Sequence, residues 1–333
     1  MFKFHSYKFA PAHYYTLEAF LSDEGIRCKA TYALDEKYYD FGSLEVRIPQ
    51  ENSNKTVHIH LNSSVFTLLH IILCWLLRKD TIILMHEPIL DLPGKLKHYS
   101  QCKQKIKIFI VKYINDLICL FSKKIIVFSK TAEANLRPKF KLKASRQKLP
   151  FTLRDASENK INKSEKIQIC YIGTIANDHN FDAFIDWVQS TELDRDHYNF
   201  NIFTKDKINI EDREKLSKLC HITEGRILST SEMAMAYKHS DFTWCVYSSS
   251  NQSGVLPMAL MYGSVPLVSE AFGEDIYDYI DCTILISDLA SHSLDRKIRQ
   301  ATGEVEKLKT AARDAYDCHH NPKFIKWEKI LNV

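Results

Sequence analysis

The chain has 333 residues, of which 45% are hydrophobic and 26% charged. That length gives room for two domains with a core each, and the composition excludes a disordered, collagen-like or multi-spanning membrane protein. The net charge of +4 and nine cysteines without a C-x-x-C pair exclude a disulfide framework and a thiolate zinc motif, and fit free thiols in a reducing cytoplasm.

The N-terminus, Met1-Phe-Lys-Phe-His5, has no apolar signal core followed by a small-residue cleavage site, so a cytoplasmic location is expected. Strand patterns fall at residues 2–5, 27–33, 44–48, 56–61, 81–86 and 124–128, and helical patterns at 13–22, 64–77, 97–121 and 130–137. The longest apolar run, 65–77, is shorter than the roughly 20 residues a bilayer crossing needs, and is expected to be a buried crossover helix. In the helix at 97–121, Ile106, Ile110, Tyr113, Leu117 and Leu120 share one side, with lysines on much of the other.

A polar stretch at 153–165, nearly free of apolar residues, reads as a linker. Beyond it, strands are expected at 166–172, 200–204, 225–228, 242–247, 265–269 and 282–287. Helices are expected at 180–190, 211–220, 231–239, 254–262 and from 289 onward. Strands alternating with helices predict βαβ units and parallel sheets. The domains divide as 1–155 and 156–333, and the C-terminal helix is a candidate to pack back on the first.

Between Lys95 and Lys148 stand fifteen Lys or Arg residues against Asp116 and Glu133. A block of this kind points to an anionic partner or, more plainly, to a solvated helix face. Phe109, Tyr113, Phe121 and Phe140 interleave with the basic residues, a pattern suited to an anionic membrane surface. Nucleic acid is not expected as a partner, because no helix-turn-helix, RRM, KH or zinc-finger pattern is present.

The most informative segment is Ser248-Ser-Ser-Asn251-Gln252-Ser253-Gly254-Val255-Leu-Pro-Met258-Ala-Leu-Met-Tyr-Gly263-Ser-Val-Pro266-Leu-Val268. A strand enters a small polar loop, a short apolar helix follows, and Gly263 ends it. The amides and dipole of a helix start favour an anion. Ser253, Gly254 and Val255 are therefore expected to hold a diphosphate, with Lys205 adding a cation. Asn251 and Gln252 carry amides able to donate to and accept from a ligand's hydroxyl groups. His58 and His60 alternate on one strand and share a face, but the sequence shows no third ligand near them, and no metal site is expected.

These segments resemble the GT-B glycosyltransferases, and among them the retaining family 4. Ala259-Leu-Met-Tyr-Gly263-Ser-Val-Pro266-Leu-Val268 is similar to the tail of that family's cradle motif, and Gln252-Ser253-Gly254-Val-Leu-Pro257 to its Gln-Ser-Gly variant. Tyr171-Ile-Gly173-Thr174 resembles the glycine loop of its donor domain, and Tyr237-x-x-Ser240-Asp241 the segment before the cradle strand. Val57-His58-Ile-His60 and Met85-His86-Glu87-Pro88 resemble segments at strand ends of its acceptor domain. The family's paired glutamates are absent; Met258 stands at the second.

The resemblance implies an α/β protein of GT-B fold: two doubly wound, Rossmann-like, parallel-sheet domains facing an interdomain cleft. It implies sugar transfer from a nucleotide-diphosphate sugar to a lipid-linked or growing glycan, as in bacterial surface polysaccharide synthesis, retaining, with no metal and no cofactor beyond the donor. His86 and Glu87 would face the transferring sugar, His13 the acceptor, and Gly173 and Thr174 the donor. With the glutamates missing, two alternatives stay open: a degraded GT-B protein that partners another transferase, or a nucleotide-sugar epimerase.

Overall fold

The computed structural model describes residues 1–7, 11–22, 24–34, 42–49, 55–86, 100–152, 164–248 and 254–324. The chain forms two compact units, 1–152 together with the segment from His320, and 153–319. His320 is tied to the first unit: its ring Nδ1 donates to Leu149 O (2.7 Å), and its carbonyl accepts from Phe151 N (3.1 Å).

The first unit runs β1 (Phe2–Tyr7), α1 (Pro11–Phe20), α2 (Glu24–Lys29), β2 (Thr31–Leu34), β3 (Ser43–Ile48), β4 (Val57–His60), α3 (Val65–Leu76), β5 (Asp80–Met85), α4 (Gln101–Phe121), β6 (Lys124–Val127), α5 (Lys130–Ala134), α6 (Pro138–Lys141) and β7 (Ala144–Arg146). Its sheet has the order β2-β3-β1-β4-β5-β6-β7. β1, β4, β5, β6 and β7 are parallel; β3 runs antiparallel to both β1 and β2. The strand expected at 27–33 is instead α2 followed by β2. Arg27 on α2 makes a two-pronged bond to the buried Glu18 carboxylate (2.8 and 2.7 Å), a charge-assisted pair that holds this segment against α1.

Ser64 caps α3, accepting from Thr67 N at 3.0 Å. The helix buries Thr67, Leu68, Ile71 and Cys74, one helical face, and leaves Phe66, Leu69, Leu73 and Leu76 exposed. The expectation of a wholly buried crossover helix is therefore corrected. α4 buries Asn115, Ile118 and Cys119, while Ile106, Ile110, Tyr113 and Leu120 are exposed. No helix among the described residues is long and apolar enough to cross a membrane.

The second unit runs β8 (Ile167–Ile172), α7 (Phe181–Ser190), β9 (Tyr198–Phe203), α8 (Ile210–Leu216), β10 (Cys220–Thr223), α9 (Thr230–His239), β11 (Phe242–Cys245), α10 (Val255–Tyr262), β12 (Val265–Val268), β13 (Ile284–Leu285), α11 (Ser291–Thr302) and α12 (Val305–His319). All its strand pairs are parallel, in the order β10-β9-β8-β11-β12-β13. Trp187, Phe184, Phe200 and Trp244 pack edge-on and stacked in its core. The strand expected at 225–228 lies earlier, at β10, in register with β9 from Cys220 opposite Phe200 to Thr223 opposite Phe203. Gly225, at φ 75°, turns the chain after it.

At the base of this sheet Asp241 is almost fully buried. It accepts from Lys309 Nζ (2.7 Å) and from Gln168 N (2.8 Å), joining α12, β8 and the start of β11. Gly263 ends α10 in the left-handed region at φ 72°. The Ser264 N bond back to Ala259 O (2.8 Å) closes the helix end.

Candidate functional site

In the second sheet the strand order reverses between β8 and β11. Ligands of doubly wound sheets bind beyond the carboxyl ends of strands at such a reversal, where the two flanking loops part. Here those loops start at Gly173 and at Val246. Gly173 takes φ +143°, which L side chains rarely adopt, and its N–H donates to Phe203 O at 2.9 Å. A Cβ built on it would sit 3.5 Å from Val255 Cγ2. The glycine loop thus lies directly against the first residue of α10.

The loop is pinned at several points. Ile175 N donates to Asp206 Oδ2 (2.7 Å), and Tyr171 Oη and His179 Nδ1 both donate to Thr174 O (2.7 Å each). Burial, with Asp206 and Asp178 nearby, pushes the Tyr171 phenol well above its ordinary range, so it remains a donor. Ser248 N donates to Asp178 O (2.8 Å) and Trp244 Nε1 to His179 O (3.2 Å), tying the end of β11 to the same loop. The His179 ring stacks on Tyr247 at 4.5 Å and 27°. Nothing local in the sequence marks that aromatic pair, because the two rings meet only through the fold.

Of the expected donor residues, Gly173 and Val255 come together and Gly254 caps α10 at φ −78°, with no side-chain cap bond. Thr174 is exposed on the pinned loop. Lys205 is exposed in the turn after β9, next to the Asp206 that anchors Ile175. Asn251, Gln252 and Ser253 lie outside the described residues, as does Glu87.

In the first unit, His13 and His86 are neighbours, with ring centroids 5.9 Å apart. His13 comes from the first turn of α1, and His86 follows the carboxyl end of β5. His13 Nδ1 and Ser6 Oγ, near the end of β1, are 2.9 Å apart. His86 Nε2 donates to Leu61 O at 3.0 Å, and its ring lies 5.0 Å from Phe128. Burial, and then the nearby His86 ring, push the His13 imidazolium down to about 3, so this ring is neutral near neutrality.

No protein-family model and no curated protein matches the sequence. Solved structures do match. HepE from Anabaena, determined with UDP, superposes over 82% of this chain and 77% of its own with a TM-score of 0.59 at 14% identity. Sucrose-phosphate synthase from Thermosynechococcus elongatus superposes over 83% of this chain and 71% of its own, TM-score 0.59, 14% identity. The pneumococcal O-GlcNAc transferase GtfA, with UDP and GlcNAc, superposes over 83% of this chain and 56% of its own, TM-score 0.60, 10% identity.

The chain has the GT-B fold.

Proposed function

We propose that the chain is a glycosyltransferase that moves a sugar from a nucleotide-diphosphate sugar to a lipid-linked or growing glycan acceptor in surface polysaccharide synthesis. The observation that carries this reading is the contact of the Gly173 loop with the start of α10 at the strand-order reversal. The likeness to HepE, solved with UDP and with UDP-glucose, makes a UDP-sugar the first donor to try.

The diphosphate sits at the start of α10, at Ser253, Gly254 and Val255, beside Gly173 and Thr174. A helix N-terminus contributes about 0.3–2 kcal/mol toward an anion, too little to hold a diphosphate alone. Lys205 supplies the further positive charge. Asn251 and Gln252 bond sugar hydroxyls, and His86 with Glu87 faces the transferring sugar.

The bond from the anomeric carbon to the phosphate oxygen breaks, and its electron pair leaves with the diphosphate. The acceptor oxygen bonds to the anomeric carbon and loses its proton. His13, with a conjugate acid of pKa about 3, is too weak a base to hold that proton. It accepts a hydrogen bond from the acceptor hydroxyl and orients it, and the departing phosphate oxygen takes the proton. Transfer retains anomeric configuration and needs no metal or further cofactor.

The first unit, as the acceptor half, works at the cytoplasmic face of a membrane. Phe66, Leu69 and Leu73 on α3 and Ile106, Phe109 and Ile110 on α4 are exposed apolar side chains. Those on α4 lie within the basic segment between Lys95 and Lys148. Apolar insertion plus attraction to anionic lipids is how a helix lies on such a surface.

The test incubates the full chain with UDP-, GDP- and dTDP-sugars and follows thermal stabilisation, then turnover with polyprenyl-diphosphate acceptors. Stabilisation by at least one donor, and acceptor-dependent release of its nucleoside diphosphate, are expected. Donor isomerised without acceptor would establish an epimerase instead. No stabilisation by any donor would leave a degraded protein that partners another transferase.

A further inference from the structure

Four histidines converge on one face of the first sheet. His5 lies on β1, His58 and His60 on β4, and His70 on α3, which covers that face. His5 and His60 are partners in the parallel β1–β4 register, and His58 is two residues from His60, so the three side chains project the same way. His5 Nε2 and His58 Nδ1 are 3.0 Å apart, with the rings stacked at 5.1 Å. His70 stands edge-on to both, 4.5 Å from His5 and 5.2 Å from His58 between centroids. One ring nitrogen from each of His5, His58 and His70 lies within 4.8 Å of the others.

Hydrogen bonding accounts for only part of this cluster: His5 Nε2 and His58 Nδ1 lie within bonding distance of each other, and other ring nitrogens are left unmet. His58 Nε2, both ring nitrogens of His60, and His70 Nδ1 are buried without a hydrogen-bond partner among the described residues. His58 is 4% exposed and His60 0%. Every neutral imidazole carries one N–H donor and one acceptor nitrogen, and folded interiors seldom leave such groups unmet unless a water or ion meets them. The neutral ring is the form that gives a lone pair to a metal.

We propose that His5, His58 and His70 form a three-imidazole site for a late first-row divalent transition metal such as Zn2+, which pins α3 to β1 and β4. Imidazole nitrogens select Zn, Ni or Cu over Mg or Ca, which take oxygen ligands. Two nitrogens of a tetrahedral Zn2+ at the usual bond length are about 3.3 Å apart, close to the 3.0 Å between His5 and His58. His60, centred 5.2 Å from His5 and 5.1 Å from His70, is next in line for the fourth position. Glu45, opposite His5 in the β1–β3 register, brings a carboxylate to the margin of the site, where Arg47 and Lys3 already pair with it. The site is structural and independent of the transferase reading.

The test strips the full chain with a chelator and titrates it with Zn2+ against a chromophoric competitor, then repeats with Co2+. One equivalent per chain, a raised Tm and a visible Co2+ spectrum of tetrahedral nitrogen ligation are expected. His70 is partly exposed, so His70→Gln should keep the Tm of the stripped wild type while losing stoichiometric uptake and the Co2+ spectrum. His58→Gln should lose them as well. His197→Gln, at an exposed ring of the other unit, should change neither. The proposal is overturned if the stripped chain takes up no Zn2+, or if His70→Gln binds one equivalent with an unchanged Co2+ spectrum.

Discussion

Gly173 lies where a side chain added to it would come into ordinary contact with Val255, and the glycine is there for its backbone rather than for room. Its φ is +143°, yet an added Cβ would meet Val255 Cγ2 at 3.5 Å, an ordinary contact. Gly173→Ala should therefore fold but lose about 1–3 kcal/mol to backbone strain, and the strain should reach the loop that carries Thr174. Urea denaturation and calorimetry with UDP check this. A Gly173→Ala chain as stable as wild type, with unchanged nucleotide affinity, would remove the loop from the donor site.

Asp241 and Lys309 form a buried pair, with side chains 11% and 10% exposed. Removing one member leaves the other charge without its partner, at a cost of about 3–5 kcal/mol. Lys309→Met should show that loss in chemical denaturation, and Lys309→Met with Asp241→Asn should recover part of it. Neither should alter donor affinity in molecules that remain folded, because the pair lies at the amino end of β11, away from the strand ends that carry the donor loops.

Acid should destabilise the first unit. His13 is pushed from the usual 6.5 to about 3 in the fold. Below pH 6.5 the unfolded chain takes up a proton that the folded chain refuses. Stability from this group is complete above pH 6.5 and falls as pH drops from there toward 3. The slope for one group is at most about 1.4 kcal/mol per pH unit, reached between the folded and unfolded pKa values. Midpoints of urea unfolding between pH 7 and 4 should show a shallower fall in His13→Asn than in wild type.

His86 should matter for turnover more than for donor binding. His86→Ala should lower kcat about 100-fold or more, in the range of lost side-chain catalysis, and leave UDP affinity within about twofold, since on the proposed reading the second unit holds the nucleotide. Parallel measurement of kcat and of UDP binding by calorimetry separates the two. An equal loss in both would make His86 a donor ligand.

Much of this arrangement was legible in the sequence, for identifiable reasons. β12 is apolar throughout, and β8 and β11 are apolar but for Gln168 and Thr243, as buried parallel strands tend to be, and Gly263 marks the end of α10. The faces of α4 were not legible. Periodicity correctly put Ile106, Ile110 and Tyr113 on one side, but periodicity cannot say which side meets the core, and only the C-terminal third of α4 touches it. The pairing of His13 with His86 is only half visible in the sequence: each stands out singly, while their proximity depends on α1 folding back to bring His13 to Ser6 on β1. The His5, His58 and His70 cluster was invisible, because its members sit on three elements and only the sheet register unites them.

The central claim is that the start of α10 holds a nucleoside diphosphate. Gly254 has φ −78°, open to any residue, so Gly254→Trp tests the space in front of the helix without straining the backbone. Calorimetric titration of wild type and Gly254→Trp with UDP and UDP-glucose is the most direct measurement. Saturable binding by wild type, weakened at least about tenfold (about 1.4 kcal/mol) in a folded Gly254→Trp chain, is the predicted result. Binding of equal strength in both, or none in wild type with any nucleotide sugar, would contradict it.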